Sequence, residues 1–339
     1  MLGLKPEFGI DLGTYSTIVY SRGKGIVLRE PSVVAKNILT GEVLAIGEEA
    51  YIMLGRTPDN IVAGRPLIGG VIGDYTTTEK MLHLLLKRLK GYRSFLKPRV
   101  VISVHTGATG VERRAVIDAC KEAGAGEVYP VDEIIAASLG AGLPIDTPTG
   151  NMVVDIGGGT TSIGVVSLWG IVVRSSVRQA GLDMDEAIIR YLRRKSNLMI
   201  GQRSAEEIKI KIGSLEKYED DPPQMEVRGR DLLTGLPQTV KVDANEIREA
   251  LLEVVQVIEE KIKEVLERTP PELAADIAER GITLTGGGSL LRGLASHLTG
   301  SIGIQFKLVE DPISCVAIGT GRILENLKEY RRKGYVKEE

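Results

Sequence analysis

Two stretches set 144 residues apart repeat one local design, and they restrict the fold more than anything else in the chain. Ile10-Asp11-Leu12-Gly13-Thr14-Tyr15-Ser16-Thr17-Ile18-Val19 reads beside Val154-Asp155-Ile156-Gly157-Gly158-Gly159-Thr160-Thr161-Ser162-Ile163. Each is an apolar strand carrying Asp at its end, a glycine turn with hydroxyl residues, and a returning strand. The offset is close to half of the 339 residues. Two similar α/β domains that each give one hairpin to a shared cleft are therefore expected.

The rest of the chain alternates β-branched apolar runs with amphipathic stretches, as an α/β protein requires. Strand-like runs fall at 8–12, 17–21, 100–104, 152–156, 162–167, 170–177 and 281–285. Helical periodicity covers 77–89, 110–123, 184–195, 204–212, 244–268, 271–280 and 288–299. Ser204 with Glu207, and Asp243 with Glu246, have capping-box spacing and predict two helix starts. Residues 225–230 and 239–242 predict a hairpin, and the segment 216–224 and the basic tail from Lys328 are expected to be low in order.

A glycine turn between strands presents consecutive backbone N–H groups to one concavity, which suits phosphate oxygens. Thr14, Ser16, Thr160 and Thr161 add hydroxyl donors without charge. Asp11 and Asp155 at the strand ends then face the same anion. Two carboxylates beside a polyphosphate call for a divalent cation between them, which selects Mg²⁺ with its waters and a nucleoside triphosphate. A third glycine run, Thr285-Gly286-Gly287-Gly288-Ser289, follows a strand and opens a helix, a junction suited to a base or ribose. The chain carries neither a P-loop nor a strand-borne dinucleotide fingerprint, which removes Walker ATPases and nicotinamide enzymes.

Composition narrows the partners. A net charge of -2 and 4% aromatic residues give no pull toward nucleic acid and no stacking platform. Cys120 and Cys315 fit no metal spacing and read as isolated buried thiols of a reducing compartment. No secretory signal and no bilayer-length apolar run is present, so a cytoplasmic protein, at most attached to the inner membrane surface, is expected.

The three glycine elements, in this order, resemble the actin/Hsp70/sugar-kinase ATPase superfamily, and within it the MreB family of bacterial actins. The resemblance runs nearly end to end. It includes Glu30-Pro31-Ser32-Val33, Val111-Glu112-Arg113-Arg114-Ala115, Asn197-Leu198-Met199-Ile200-Gly201, the run 229–237 and Thr269-Pro270-Pro271-Glu272-Leu273. It implies an actin-like fold: two RNase H-like domains, 1–150 and 151–339, with smaller subdomains near 32–75 and 182–250, around a cleft for ATP and Mg²⁺. By motif, Gly13, Thr14, Tyr15 and Ser16 form the first phosphate hairpin, and Gly157, Gly158, Gly159 and Thr160 the second. Gly181 joins that set, Glu206, Glu207, Ile208 and Lys209 border ribose and adenine, and Gly286, Gly287, Gly288 and Ser289 form the adenosine loop. Glu133 aligns with the carboxylate that orients the attacking water, with Asp11 and Asp155 as catalytic partners that hold Mg²⁺ mainly through water. Glu133 also suits a plainer role as a carboxylate at a helix N-terminus. Asp132, one residue earlier, is a supporting group.

Several positions depart from the family pattern. Tyr15-Ser16 stands where Ala-Asn is usual, His105 and Ile134 where Pro is usual, Ser162 where Glu is usual, and Trp169 where Gly is usual. His105 reads as a structural replacement without a carboxylate partner, and the loss of Pro at 134 is expected to loosen Glu133. Slow hydrolysis linked to polymerisation is the expectation. Phe95 and Leu96, set among basic residues after the apolar helix, read either as a membrane anchor or as a loop tucked on the domain. The family implies filaments of paired protofilaments at the cytoplasmic face of the membrane, working with the cell-wall elongation machinery. A small-molecule kinase of the same superfamily and an Hsp70-like chaperone ATPase are the competing readings.

Overall fold

The computed structural model describes residues 5–90 and 96–338. Two five-stranded sheets dominate it. The first runs Glu127–Asp132, Arg99–Val104, Glu7–Leu12, Ser16–Ser21, Gly25–Pro31. The second runs Phe306–Leu308, Ile282–Thr285, Asn151–Ile156, Thr161–Ser167, Gly170–Val177. Both are a three-stranded antiparallel meander extended by two parallel strands. The repeat holds to the residue: Asp11 pairs with Ile18 and Asp155 with Ser162, each pair in the same register position. The turns close alike, with Gly13 N–H donating to Ser16 O at 3.1 Å and Gly157 N–H to Thr160 O at 2.9 Å.

Strand alternation sends successive residues to opposite faces. Met152, Val154 and Ile156 enter one core, and Val153 enters another. Val100 and Ile102 likewise face away from Val101. The core shared by both sheets contains Val101, Tyr129, Val153 and Val166 together with two helices, Glu133–Gly140 and Cys315–Glu325. The chain is thus layered as helices, sheet, helix pair, sheet, helices. The central pair packs backbone against backbone. A Cβ on Gly319 would overlap the Ala136 carbonyl oxygen, and one on Gly140 the Cys315 carbonyl oxygen.

Two three-stranded sheets stand apart from the large ones. One is Val43–Ile46, Val34–Asn37 and Ile61–Gly64; the other is Leu198–Met199, Gln224–Asp231 and Pro237–Asp243. The hairpin expected at 225–242 is present, with Val227 opposite Val240. The capping box at Asp243 and Glu246 starts the 24-residue helix Ala244–Glu267.

Four expectations need correction. The tail from Lys328 is ordered: Leu327–Arg332 is a helix, and Val336 is buried in the core shared by both sheets. Ser204 caps nothing, because its helix begins earlier, at Gln202 after Gly201. The helix expected over 288–299 is a 3-10 turn, Gly287–Leu290, followed by a separate helix, Leu294–Ile302. The chain turns between them at Gly293, whose φ of 72° belongs to the left-handed region. Helix Tyr75–Lys90 begins two residues before the predicted start. Cys120 and Cys315 are buried and free. Trp169 holds φ 64°, the left-handed conformation that suits the usual glycine, and its ring stacks on Tyr335 at 4.5 Å. Among the described residues no helix is long and apolar enough to cross a membrane. Leu96 is exposed, and Phe95 lies outside the described residues.

Candidate functional site: a cleft between two glycine hairpins

A cavity of about 510 Å³ opens between the sheets. Both hairpins line it, with Asp11, Glu133, Asp155, Gly181, Glu206, Lys209 and residues 286–288. The hairpins face each other closely: a Cβ on Gly159 would stand 2.8 Å from Thr14 Oγ1. Gly286 has φ 82°, and a Cβ there would overlap Asp155 Oδ1 and the Ile156 carbonyl, so glycine is required twice over.

Three expected residues are not brought to the cleft. Glu207 points to the outer surface and pairs with Lys211 at 2.6 Å. Ile208 is fully buried in the second core. Ser289 is buried, and its hydroxyl caps Gly286 O at 2.5 Å. The helix Gln202–Ile212 turns only Glu206, Lys209 and Ile210 inward, as its 3.6-residue period dictates. Gly181 reaches the cleft, but its N–H is engaged with Gly157 O at 3.1 Å, and Lys209 Nζ donates to Gly181 O at 2.7 Å.

Asp11, Asp155 and Glu133 make the floor a nest of carboxylates. Burial, then the charge of Glu133, pushes Asp11 up to about 7, against the partial relief of a 2.9 Å bond from Ser103. Burial and the charges of Glu133 and Asp11 raise Asp155 well above the usual carboxylate range. Burial also acts against ionised Glu133, but hydrogen bonds from His105, Ser162 and Asp155 and the charge of His105 outweigh it, and Glu133 stays below its ordinary value. Desolvated carboxylates of this kind are the donor set that a divalent cation would restore to charge. Among the described residues no three His, Cys, Asp or Glu side chains converge as a complete metal site. A cation here would draw most of its ligands from water and phosphate, as Mg²⁺ does.

A model of the MreB/Mbl protein family matches residues 5–332. The chain belongs to the MreB/Mbl family. The cell shape-determining protein MreB of Escherichia coli (strain K12) is 50% identical over 325 residues, covering 94% of this chain and 93% of that protein. The cell shape-determining protein Mbl of Bacillus cereus is 49% identical over 321 residues, covering 95% and 96%. The crystal structure of MreB5 of Spiroplasma citri bound to ADP has TM-score 0.92 at 38% identity, over 97% of this chain and 99% of that one. The same protein bound to AMPPNP has TM-score 0.92 at 37% identity, covering 98% and 99%. The fold is the actin-like ATPase fold.

Within this MreB/Mbl fold the departures from the family pattern become specific contacts. His105 does have a carboxylate partner: its Nδ1 is 3.1 Å from Glu133 Oε2, which corrects the expectation that it would have none. Ser162 Oγ donates to the same oxygen at 2.9 Å. In place of a proline at 134, Ile134 N–H donates to Asp132 Oδ1 at 3.0 Å and caps the helix that Glu133 opens. Asp132 is therefore a helix cap, also bonded by Thr106 at 2.7 Å, and does not line the cleft. Tyr15 lays its ring under Arg65, 4.5 Å from the guanidinium carbon, and its hydroxyl donates to Glu206. Tyr51, at the end of the short helix Glu48–Tyr51, donates to the other oxygen of Glu206. Sequence patterning missed Arg65 and Tyr51 because neither sits in a glycine motif.

Proposed function

We propose that the chain is an MreB-like cytoskeletal ATPase that binds ATP with Mg²⁺, polymerises, and organises cell-wall elongation and rod shape from the inner face of the membrane. The observation that carries this reading is the pair of facing hairpins over three carboxylates, buried Asp155 and half-buried Asp11 and Glu133, on a chain that matches the family over residues 5–332. Nucleotide-bound MreB5 and the cell shape-determining relatives support it. The chain reads as two domains, 1–150 and 151–339, whose hairpins close on the phosphates.

Bound Mg²⁺ would neutralise charge on the β- and γ-phosphates. Asp11 and Asp155 would hold its waters. Backbone N–H groups of both hairpins cradle the phosphate oxygens, and Glu133 orients the attacking water. Hydrolysis is slow and coupled to assembly in this reading. Leu96, with Phe95, would anchor the filament on lipid. The test is electron microscopy and pelleting with ATP, with and without liposomes. ATP-dependent filaments on lipid are expected; no assembly with ATP, or phosphorylation of a small acceptor, would overturn the reading.

The Tyr15–Glu206–Tyr51 bridge predicts a kinetic effect. It ties the first hairpin and the small sheet of residues 34–64 to the helix Gln202–Ile212 across the cleft mouth. Hydrogen bonds to a charged acceptor contribute about 1.5–3 kcal/mol. Tyr51→Phe is expected to speed release of a fluorescent ATP analogue by roughly tenfold. The double variant with Tyr15→Phe should fall short of additivity, because both hydroxyls share one carboxylate. Unchanged release in stopped flow would refute the clasp.

A further inference from the structure

The parallel pairing of Arg99–Val104 with Glu127–Asp132 sets Val104 beside Asp132, so the next residue of each strand, His105 and Glu133, emerge side by side at the cleft. His105 is nearly buried, at 9% side-chain exposure. Glycines hold its ring in place. A Cβ on Gly70 would stand 2.9 Å from His105 Cγ, and one on Gly107 would stand 3.2 Å from Nε2. The Gly70 N–H in turn donates to Thr14 Oγ1 at 2.9 Å, which links the ring's packing to the first hairpin.

Two donors thus converge on one oxygen of Glu133. His105 Nδ1 lies 3.1 Å and Ser162 Oγ 2.9 Å from Oε2, and neither bond falls on Oε1. Two donors on one oxygen fix the orientation of the carboxylate, and Asp155 bonds the same group on the cleft floor. We propose that His105, assisted by Ser162, is a positioning residue that orients the Glu133 carboxylate toward the attacking water. The assignment rests on the ATPase reading of this cleft. It requires the neutral or charged ring to carry its proton on Nδ1, because a carboxylate only accepts. His105 touches no phosphate in this role; it acts through Glu133.

The test uses the full chain and four proteins: wild type, His105→Ala, His105→Asn and Glu133→Gln. Affinity for a fluorescent ATP analogue and single-turnover hydrolysis with nucleotide bound are measured separately. His105→Ala is expected to slow hydrolysis by roughly ten- to a hundredfold with affinity within about twofold. His105→Asn places an amide N–H near the Nδ1 position and should recover most of the rate, which a space-filling role would not predict. The chain has three histidines, so ¹⁵N NMR of the ring nitrogens gives a readout independent of turnover. The His105 signal should show a proton on Nδ1 and should move in Glu133→Gln. Wild-type hydrolysis by His105→Ala, no rescue by His105→Asn, or a bare Nδ1 would each overturn the assignment while leaving the ATPase reading intact. Wild-type protein that binds nucleotide without hydrolysing it would overturn both.

Discussion

Asp11→Asn is expected to weaken Mg²⁺-dependent nucleotide binding by about ten- to a hundredfold and, in the same protein, to stabilise the nucleotide-free fold. The two effects have one cause. Asp11 is forced into a low-dielectric floor beside Glu133 and is raised to about 7. Its carboxyl is near 3.9 in an unfolded chain. The folded state therefore holds that proton more tightly than the unfolded state. Below about pH 4 both states are protonated and the site carries no penalty. As pH rises from about 4 to about 7 the unfolded chain gives up its proton while the fold still holds it, so the fold loses stability that an amide would keep. The full shift corresponds to about 4 kcal/mol, and the cleft's access to solvent reduces the expected gain at pH 8 to about 2 kcal/mol. Thermal unfolding of both proteins at pH 4 and pH 8 separates this from a general effect. A variant equally stable to wild type at pH 8, or less stable at both pH values, would sink the account. Binding energy of a cation is what the wild-type residue trades for that instability.

Gly319→Ala is the second large effect, and it opposes local propensity. Alanine favours a helix interior over glycine by about 1 kcal/mol. Here the added methyl group would overlap the Ala136 carbonyl oxygen of the facing helix. That helix has no room to retreat, because Cys315 Sγ bonds Ala137 O at 3.3 Å, Arg322 bonds Leu139 O, and both large sheets pack on the pair. A loss of about 3 kcal/mol or more is expected in denaturant unfolding. Hydrolysis should fall as well, since Glu133 is the first residue of the displaced helix. A variant as stable as wild type would mean the helices part easily.

Much of this architecture could be read in advance, and the failures have physical causes. The hairpins were visible because a glycine turn after an Asp-bearing strand is a local signal repeated at one offset. Gly170–Val177 and Pro271–Arg280 match their predicted bounds, since turn and cap residues flank both. Ser204 and Glu207 had the right spacing, but the helix starts at Gln202, so Ser204 already lies within its first turn. The 288–299 run was split by Gly293, whose left-handed turn periodicity does not register. His105 was misjudged because its partner lies 28 residues away. Only strand register brings the two together, and register is a tertiary fact. The Glu206 bridge spans still more sequence, 191 residues from Tyr15, and no spacing rule reaches that far.

The glycine contact at the centre of the molecule also sets what kind of machine it can be. Where carbonyl meets Cα without side chains between, sliding is blocked, since a shift along either helix would drive an oxygen into backbone. Rotation about the crossing needs no such collision. Any movement between the two large sheets would therefore turn about this contact, and displacement would grow with distance from it. A small turn at Gly140 and Gly319 would become a wide swing at the outlying three-stranded sheets.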